Sequence, residues 1–301
     1  MSTSDAVVVE RIAKRFGSTT ALSDVSFSVR AGELFGFVGP DGGGKTTLFR
    51  ILVTLMLPDS GRATVLGRDV VRDLWALRQR IGYMPGRFSL YPDLSVLENL
   101  RFFASVFGTT IDRERERIDP IYRQLEAFND RRAGALSGGM KQKLALCCAL
   151  VHRPEILFLD EPTTGVDAVS RREFWDLLAT LKQSGLTAIV STPYMDEAHR
   201  CDRVALIERG RLLVTDTPQR IADSFDRPLV AVRVDARYRA LQALRESPKV
   251  EHVYPFGETL HVTGADPAYV RQWLTTRGFA DATAESAPAT IEDVFIARMG
   301  A

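Results

Sequence analysis

Gly39-Pro40-Asp41-Gly42-Gly43-Gly44-Lys45-Thr46-Thr47 fits the pattern G-x-x-x-x-G-K-[ST]. Four glycines let a backbone curl so that successive N–H groups point at phosphate oxygens. In such a loop the lysine meets the β- and γ-phosphates, Thr46 offers its hydroxyl to Mg²⁺ and Thr47 can donate to the α-phosphate. More than a hundred residues later, Ile156-Leu157-Phe158-Leu159-Asp160-Glu161 closes an apolar run with two carboxylates. Asp160 suits Mg²⁺, directly or through water, and Glu161 suits polarising an attacking water. Phosphoryl transfer asks a protein mainly for positioning and charge neutralisation, so these few groups can suffice. Alone, the carboxylates read as a surface turn and the glycines as a plain turn; together they predict a phosphate and Mg²⁺ site suited to phosphoryl transfer.

Each group needs an element to place it. Leu34–Val38 reads as a strand running into the glycine loop, and Lys45 to about Leu57 as the helix leaving it, whose positive end favours anions. Val7–Val9, Val25–Val29, Arg62–Leu66, Ile81–Met84, Ile156–Leu159 and Thr187–Ser191 read as strands. Residues 87–151 carry apolar residues at helical spacing, around Leu97–Phe107 and Ile118–Phe128. Helices follow at Arg171–Lys182 and Met195–Cys201, then a hairpin over Val204–Thr215 turning at Glu208-Arg209-Gly210. Short runs apolar on both faces suit parallel strands of an α/β sheet, whose C-terminal edges bind ligands. Asp226-Arg227-Pro228 reads as a domain boundary. Beyond it the pattern is strand (Leu229–Val234), helix (Tyr238–Glu246), two strands (around Val250–Tyr254 and Thr259–Val262), helix (Pro267–Arg277), strand, and a last helix near Ile291–Met299.

Composition fits a globular protein of 301 residues, with 45% apolar and 26% charged residues. The net charge of +1 provides no basic field to draw nucleic acid, so no nucleic-acid partner is expected. Cys147, Cys148 and Cys201 lack metal-ligand spacing and read as buried thiols of a reducing cytosol. The amino-terminal stretch is not a secretory signal, and no apolar run approaches the roughly 20 residues of a bilayer span. Any membrane span must come from another chain.

Leu136-Ser137-Gly138-Gly139-Met140-Lys141-Gln142 lies between the lysine loop and the carboxylates. A serine and two glycines before a helix are by themselves only a cap. In this order with the other two motifs, the region from about Val7 to Pro218 resembles the ATP-binding cassette (ABC) ATPases. The resemblance implies a P-loop NTPase cassette with a RecA-like core over residues 1–225 and a helical subdomain at about 87–151, plus a small α+β accessory domain over 226–301. It implies ATP and Mg²⁺ as cofactors, and Glu161 as the main catalytic group. It also implies head-to-tail pairing, in which Ser137, Gly138 and Gly139 touch ATP held by the partner and Asp167 lies in the loop crossing the interface. Phe16 matches the aromatic that stacks on adenine; a core aromatic at a strand end is the competing reading. Ala289-Thr290-Ile291-Glu292-Asp293-Val294-Phe295 and the region Ser89–Asn99 resemble ATPase subunits of drug and polysaccharide exporters. Those work at the cytoplasmic face of the cell membrane on a separate permease.

Two positions depart from the family. Its glutamine, which senses Mg²⁺ and water, is Gly86 here, and its γ-phosphate histidine is Pro193, which has neither a side-chain donor nor a backbone N–H. Slow hydrolysis at the chain's own site is therefore expected. The favoured assembly is a heterodimer with a more complete cassette; a homodimer is the alternative. A nucleotide-gated regulatory cassette and a soluble non-transport ATPase are the other two functional readings.

Overall fold

The computed structural model describes residues 5–87 and 89–299. Residues 1–4, where the amino-terminal reading begins, and 88, 300 and 301 lie outside that description. The chain falls into two compact units, one up to Pro218 and one from Gln219.

The first unit opens with a long hairpin, β1 (Asp5–Phe16) and β2 (Thr19–Arg30). It continues through β3 (Leu34–Val38), α1 (Lys45–Leu52), β4 (Ser60–Val65), β5 (Arg68–Asp69), α2 (Leu74–Arg78) and β6 (Ile81–Met84). Three helices follow, α3 (Val96–Val106), α4 (Ile111–Tyr122) and α5 (Gly138–Leu150). Then come β7 (Ile156–Asp160), α6 (Ala168–Gln183), β8 (Thr187–Thr192), β9 (Arg203–Glu208) and β10 (Arg211–Asp216). One sheet has the order β10-β9-β3-β8-β7-β6, parallel from β9 to β6 with β10 antiparallel at its edge. Every residue of β3, β7 and β8 is buried; β3 and most of β7 show in the sequence as unbroken apolar runs, while β8 buries hydroxyl residues at both ends. The second sheet, β2-β1-β4-β5, is antiparallel.

An aromatic chain ties these layers together. Phe27 meets Phe37 at 4.9 Å, Phe37 meets Phe49 at 6.0 Å and Phe49 meets Phe158 at 5.7 Å, each edge to face. Phe49 sits on α1, so the helix behind the glycine loop is packed against the strands on which both motifs are built.

Two helices differ from expectation. α1 stops at Leu52, not near Leu57. Thr54 takes a left-handed conformation (φ 65°), and Arg78 donates to both its hydroxyl (2.9 Å) and its carbonyl (3.0 Å), diverting that carbonyl from a helical ladder. Met195–Arg200 is a 3₁₀ segment and not an α-helix, because the Glu197 side chain turns inward to two threonines and so fixes the short loop after Pro193.

α7 (Pro218–Asp223) leads into the second unit, β11 (Leu229–Arg233), α8 (Arg237–Arg245), β12 (His252–Phe256), β13 (Thr259–Thr263), α9 (Pro267–Thr275), β14 (Thr283–Ser286) and α10 (Ile291–Met299). Its antiparallel sheet has the order β12-β13-β11-β14. Val230, Val232, Leu260 and Val262 pack with Leu241, Leu244, Val270 and Leu274 of α8 and α9. From the other face His261 and Tyr254 meet Asp293 of α10 at 2.6 and 2.8 Å. Burial works to raise the Asp293 pKa, but hydrogen bonds from His261 and Thr290 outweigh it and hold the carboxyl below its usual range.

Phe49→Ala is expected to destabilise the first unit by about 3–5 kcal/mol, the usual cost of emptying a buried aromatic site. Denaturant unfolding followed by far-UV dichroism checks this.

Candidate functional site

The strand order brings the distant motifs together. β3, β8, β7 and β6 are consecutive neighbours running the same way, so the four segments leaving their C-terminal ends share one edge. Those segments are the glycine loop, Thr192-Pro193, Asp160-Glu161 and Pro85-Gly86. Register fixes their heights, with Val38 opposite Thr192, Asp160 opposite Ser191 and Met84 opposite Leu159.

The loop is held from both sides. Gly39 N–H donates to the Thr192 carbonyl at 3.2 Å, and Gly210 N–H donates to the Gly43 carbonyl at 3.0 Å. Gly210 is the tip of the β9–β10 hairpin, where Arg209 and Gly210 both have positive φ. A Cβ on Gly39 would stand 2.0 Å from the Ile207 carbonyl oxygen, so only glycine fits there. Lys45 is buried at the start of α1. Its ammonium donates to the carbonyls of Gly39 (2.8 Å) and Pro40 (3.0 Å) and lies 3.2 Å from Glu161 Oε1. A cavity of about 170 Å³ opens above it, lined by Thr19, Thr20, Ala21, Gly42, Gly43, Gly44, Lys45, Thr46, Thr47 and Glu161. Asp41 is exposed at the loop's crest. Phe16 ends β1 half-exposed, outside the core, with the Lys14 ammonium 5.7 Å from its ring centre.

Asp160 is buried and accepts from Ser191 Oγ at 2.6 Å. Glu161 takes a left-handed conformation (φ 51°), which costs about 1–3 kcal/mol and must be imposed by its surroundings. Its N–H donates to the Ser191 carbonyl and hydroxyl, both at 3.0 Å, and its carbonyl accepts from Thr164 N–H at 3.2 Å. The carboxylate is thereby turned toward the lysine. The donor set suits a magnesium nucleotide, with an ammonium and loop N–H groups for phosphates and the Thr46 hydroxyl and Asp160 carboxylate for the hard cation. Burial, with the Asp160 charge beside it, pushes Tyr83 on β6 up to about 12, so it stays a neutral phenol.

Gly86 stands against the Asp160–Glu161 backbone. A Cβ there would lie 3.0 Å from the Asp160 carbonyl oxygen and 3.7 Å from Glu161 Cβ. Pro193 follows directly on Thr192, the residue that binds the glycine loop. His199 is exposed on the 3₁₀ segment, away from this edge; His252 is exposed and His261 is engaged with Asp293.

Ser137 caps α5 by accepting from Met140 N–H at 3.3 Å, and Asp167 caps α6 by accepting from Val169 and Ser170 N–H at 3.1 and 2.9 Å. The Ser170 N–H is the chief group holding the exposed Asp167 carboxyl below its usual range. The two capped ends meet. A Cβ on Gly139 would stand 2.6 Å from Ser170 Cβ, and one on Gly138 would touch the Gly165 carbonyl at 3.5 Å. Sequence reading missed Ser191, Glu197 and the Gly210 contact. Ser191 and its neighbours end a buried parallel strand beside the carboxylates, a place where polar residues bear on ligands.

The sequence profile of the ABC transporter family matches residues 22–164. The "Nod factor export ATP-binding protein I" of Rhizobium sp. (strain N33) is 37% identical over 98% of this chain and 97% of that protein. This chain belongs to the ABC transporter ATP-binding family. The "Probable multidrug ABC transporter ATP-binding protein YbhF" of Escherichia coli K12 is 44% identical over 70% of the chain, a region that spans 37% of YbhF. Among solved structures of ABC cassettes, cbiO1 from Clostridium perfringens, described as part of the ABC transporter complex cbiONQ, matches 73% of this chain and 91% of its own, with TM-score 0.66 and 28% identity. The cassette MJ0796, a dimer in a post-hydrolysis state bound to ADP and Pi, matches 70% of this chain and 98% of its own, with TM-score 0.63 and 25% identity. As an ABC cassette the chain is an ATPase of the transport class, and none of its described helices is long and apolar enough to cross a membrane.

Removing the Lys45 ammonium is expected to weaken ATP binding by about 2–5 kcal/mol, since it leaves buried charge unpaired. Glu161→Gln should keep binding within a few-fold and abolish turnover. Calorimetric titration of Lys45→Ala and Glu161→Gln with MgATP, beside phosphate release, tests both.

Proposed function

We propose that this chain is the energising subunit of an exporter, one half of a head-to-tail cassette pair acting on a separate membrane permease, and that its own ATP site turns over slowly. The observation that carries the slow-site reading is the bare position beside the carboxylates. Gly86 has only hydrogen where a side chain would lie against Asp160 and Glu161, and Pro193 has no donor at the end of β8.

In the proposed reaction Lys45 and the loop N–H groups bind the phosphates, while Thr46 and Asp160 hold Mg²⁺, which supplies charge neutralisation when bound. Glu161 orients a water and draws its proton as the oxygen bonds to the γ-phosphorus. The bond from that phosphorus to the bridging oxygen breaks, and ADP leaves with the electron pair. Phe16, half-exposed at the end of β1, stacks on the base. Ser137, Gly138, Gly139 and Asp167 face the nucleotide and loops of the partner cassette. Losing one positioned donor costs about 10²–10³ in rate where such groups have been removed from other enzymes.

The permease is supported by an apolar groove of about 400 Å³. It is lined by Leu55, Trp75, Leu90, Phe103, Val106 and Phe107, of which Leu55, Trp75 and Val106 are exposed. Export is supported by the names of the relatives. The place of work is then the cytoplasmic face of the cell membrane. The second unit serves as an accessory domain in this reading. Retention of Glu161 beside Lys45 favours a second reading, a homodimer in which both departures are tolerated.

In an equimolar mixture with a second, complete cassette and saturating MgATP, the Glu161→Gln chain is expected to form the mixed pair in preference to its own homodimer, as read by native mass spectrometry. A stoichiometric ATP-dependent homodimer would favour the second reading.

A further inference from the structure

Glu197 is a buried carboxylate that neither the phosphate site nor the groove uses. It joins three segments. Its Oε1 accepts from Thr163 Oγ1 at 2.8 Å, two residues beyond Glu161. Its Oε2 accepts from Thr192 Oγ1 at 2.5 Å, the residue before Pro193. Arg171, one turn into the helix that Asp167 caps, places Nε 3.8 Å from Oε1. The flanks of Pro193 are fixed by the same group. Tyr194 N–H donates to Thr192 Oγ1 at 3.1 Å, and the Arg171 guanidinium lies 4.4 Å from the centre of the Tyr194 ring. Arg171 also reaches Asp196 at 3.6 Å.

A carboxylate with 3% exposure is costly unless charge and hydrogen bonds satisfy it. Here both oxygens are taken by hydroxyls from two different segments, the loop after β7 and the end of β8 that leads into the Pro193 loop, and a cation stands beside one of them. Moving either loop alone would strip the carboxylate of a donor, so the loops are constrained to move together. Glu161 is in a conformation its own residue type disfavours, and Thr163 anchors the chain immediately beyond it.

We propose that Glu197, with Arg171, is a positioning residue for hydrolysis in this chain. It holds the Glu161 loop, the Pro193 loop and the Asp167-capped helix as one body, so that pairing at Asp167 sets Glu161. It supplies the link between nucleotide site and dimer loop where Pro193 carries no side chain to reach a phosphate. The proposal rests on the chain's being a working ATPase.

The test uses hydroxyl-specific pairs in the full chain. Thr163→Val and Thr192→Val remove the donor and nearly keep the shape; Thr163→Ser and Thr192→Ser keep the donor and lose a methyl. Single-turnover hydrolysis, with protein in excess over ATP, is compared with MgATP affinity. A modest misplacement of a reacting group costs about 10–100-fold. The valine variants should slow by about that factor with affinity unchanged within two-fold, while the serine variants keep the native rate. Arg171→Lys, which retains charge and loses the ring contact, should also slow without weakening affinity. Serine variants slower than valine variants would reduce the cluster to packing and overturn the proposal, as would rate and affinity falling in parallel. Native-like rates in all variants sink the positioning role alone. A native chain that binds MgATP and shows no single turnover sinks the ATPase reading, and the positioning role with it.

Discussion

The Lys45 cation is held almost out of reach of solvent. Its ammonium is almost fully buried, and the charge is tolerated because two loop carbonyls and the Glu161 carboxylate surround it. That requirement reaches through the unit. The carbonyls are presented only if the glycine loop curls, the curl needs Gly39 against Ile207, and the loop is braced by the β9–β10 hairpin and the end of β8. Glu161 faces the lysine only because Ser191 holds its backbone in a left-handed turn. A phosphate would meet the ammonium in place of these oxygens, so the site already holds its positive charge where a phosphate needs it.

The parallel order β3-β8-β7-β6 explains why residues 45, 86, 161 and 193 share a site. It also explains the chemical tension. The segments leaving β3 and β7 present Lys45, Thr46 and Glu161, whereas the positions just past β6 and β8 are Gly86 and Pro193. In the proposed function the chain binds nucleotide through the first pair and lacks the γ-phosphate contacts that the second pair would make. The buried Glu197 cluster ties the Pro193 end to the Glu161 end and leaves coordinated loops where direct phosphate contacts are missing.

Much of this was legible in the sequence because β3 and the first four residues of β7 are unbroken apolar runs and the loops beyond them carry unusual residues. Leu34–Val38 and Ile156–Asp160 emerge almost to the residue. What was hidden depends on partners far along the chain. The early end of α1 follows from Arg78 capturing Thr54, and the extra length of β1 and β2 from their pairing with each other and with β4. Glu197 looks like an ordinary charged residue of a short helix, and only the fold reveals two threonines aimed at it. Gly139 reads only as a signature glycine, and the structure adds that α5 and α6 touch there.

In the proposed function the two bare positions, Gly86 and Pro193, and not the rest of the site, set the rate. The most direct test is steady-state ATP hydrolysis by the purified chain beside a Gly86→Gln/Pro193→His double variant, with MgATP affinity measured in both. The Gly86→Gln change asks the Asp160 carbonyl to give by a few tenths of an ångström, so affinity also reports whether the site keeps its form. The native chain should bind tightly and turn over slowly, with a gain of about 10²–10³ in the double variant. Equal rates for the two proteins, with binding intact, would contradict this.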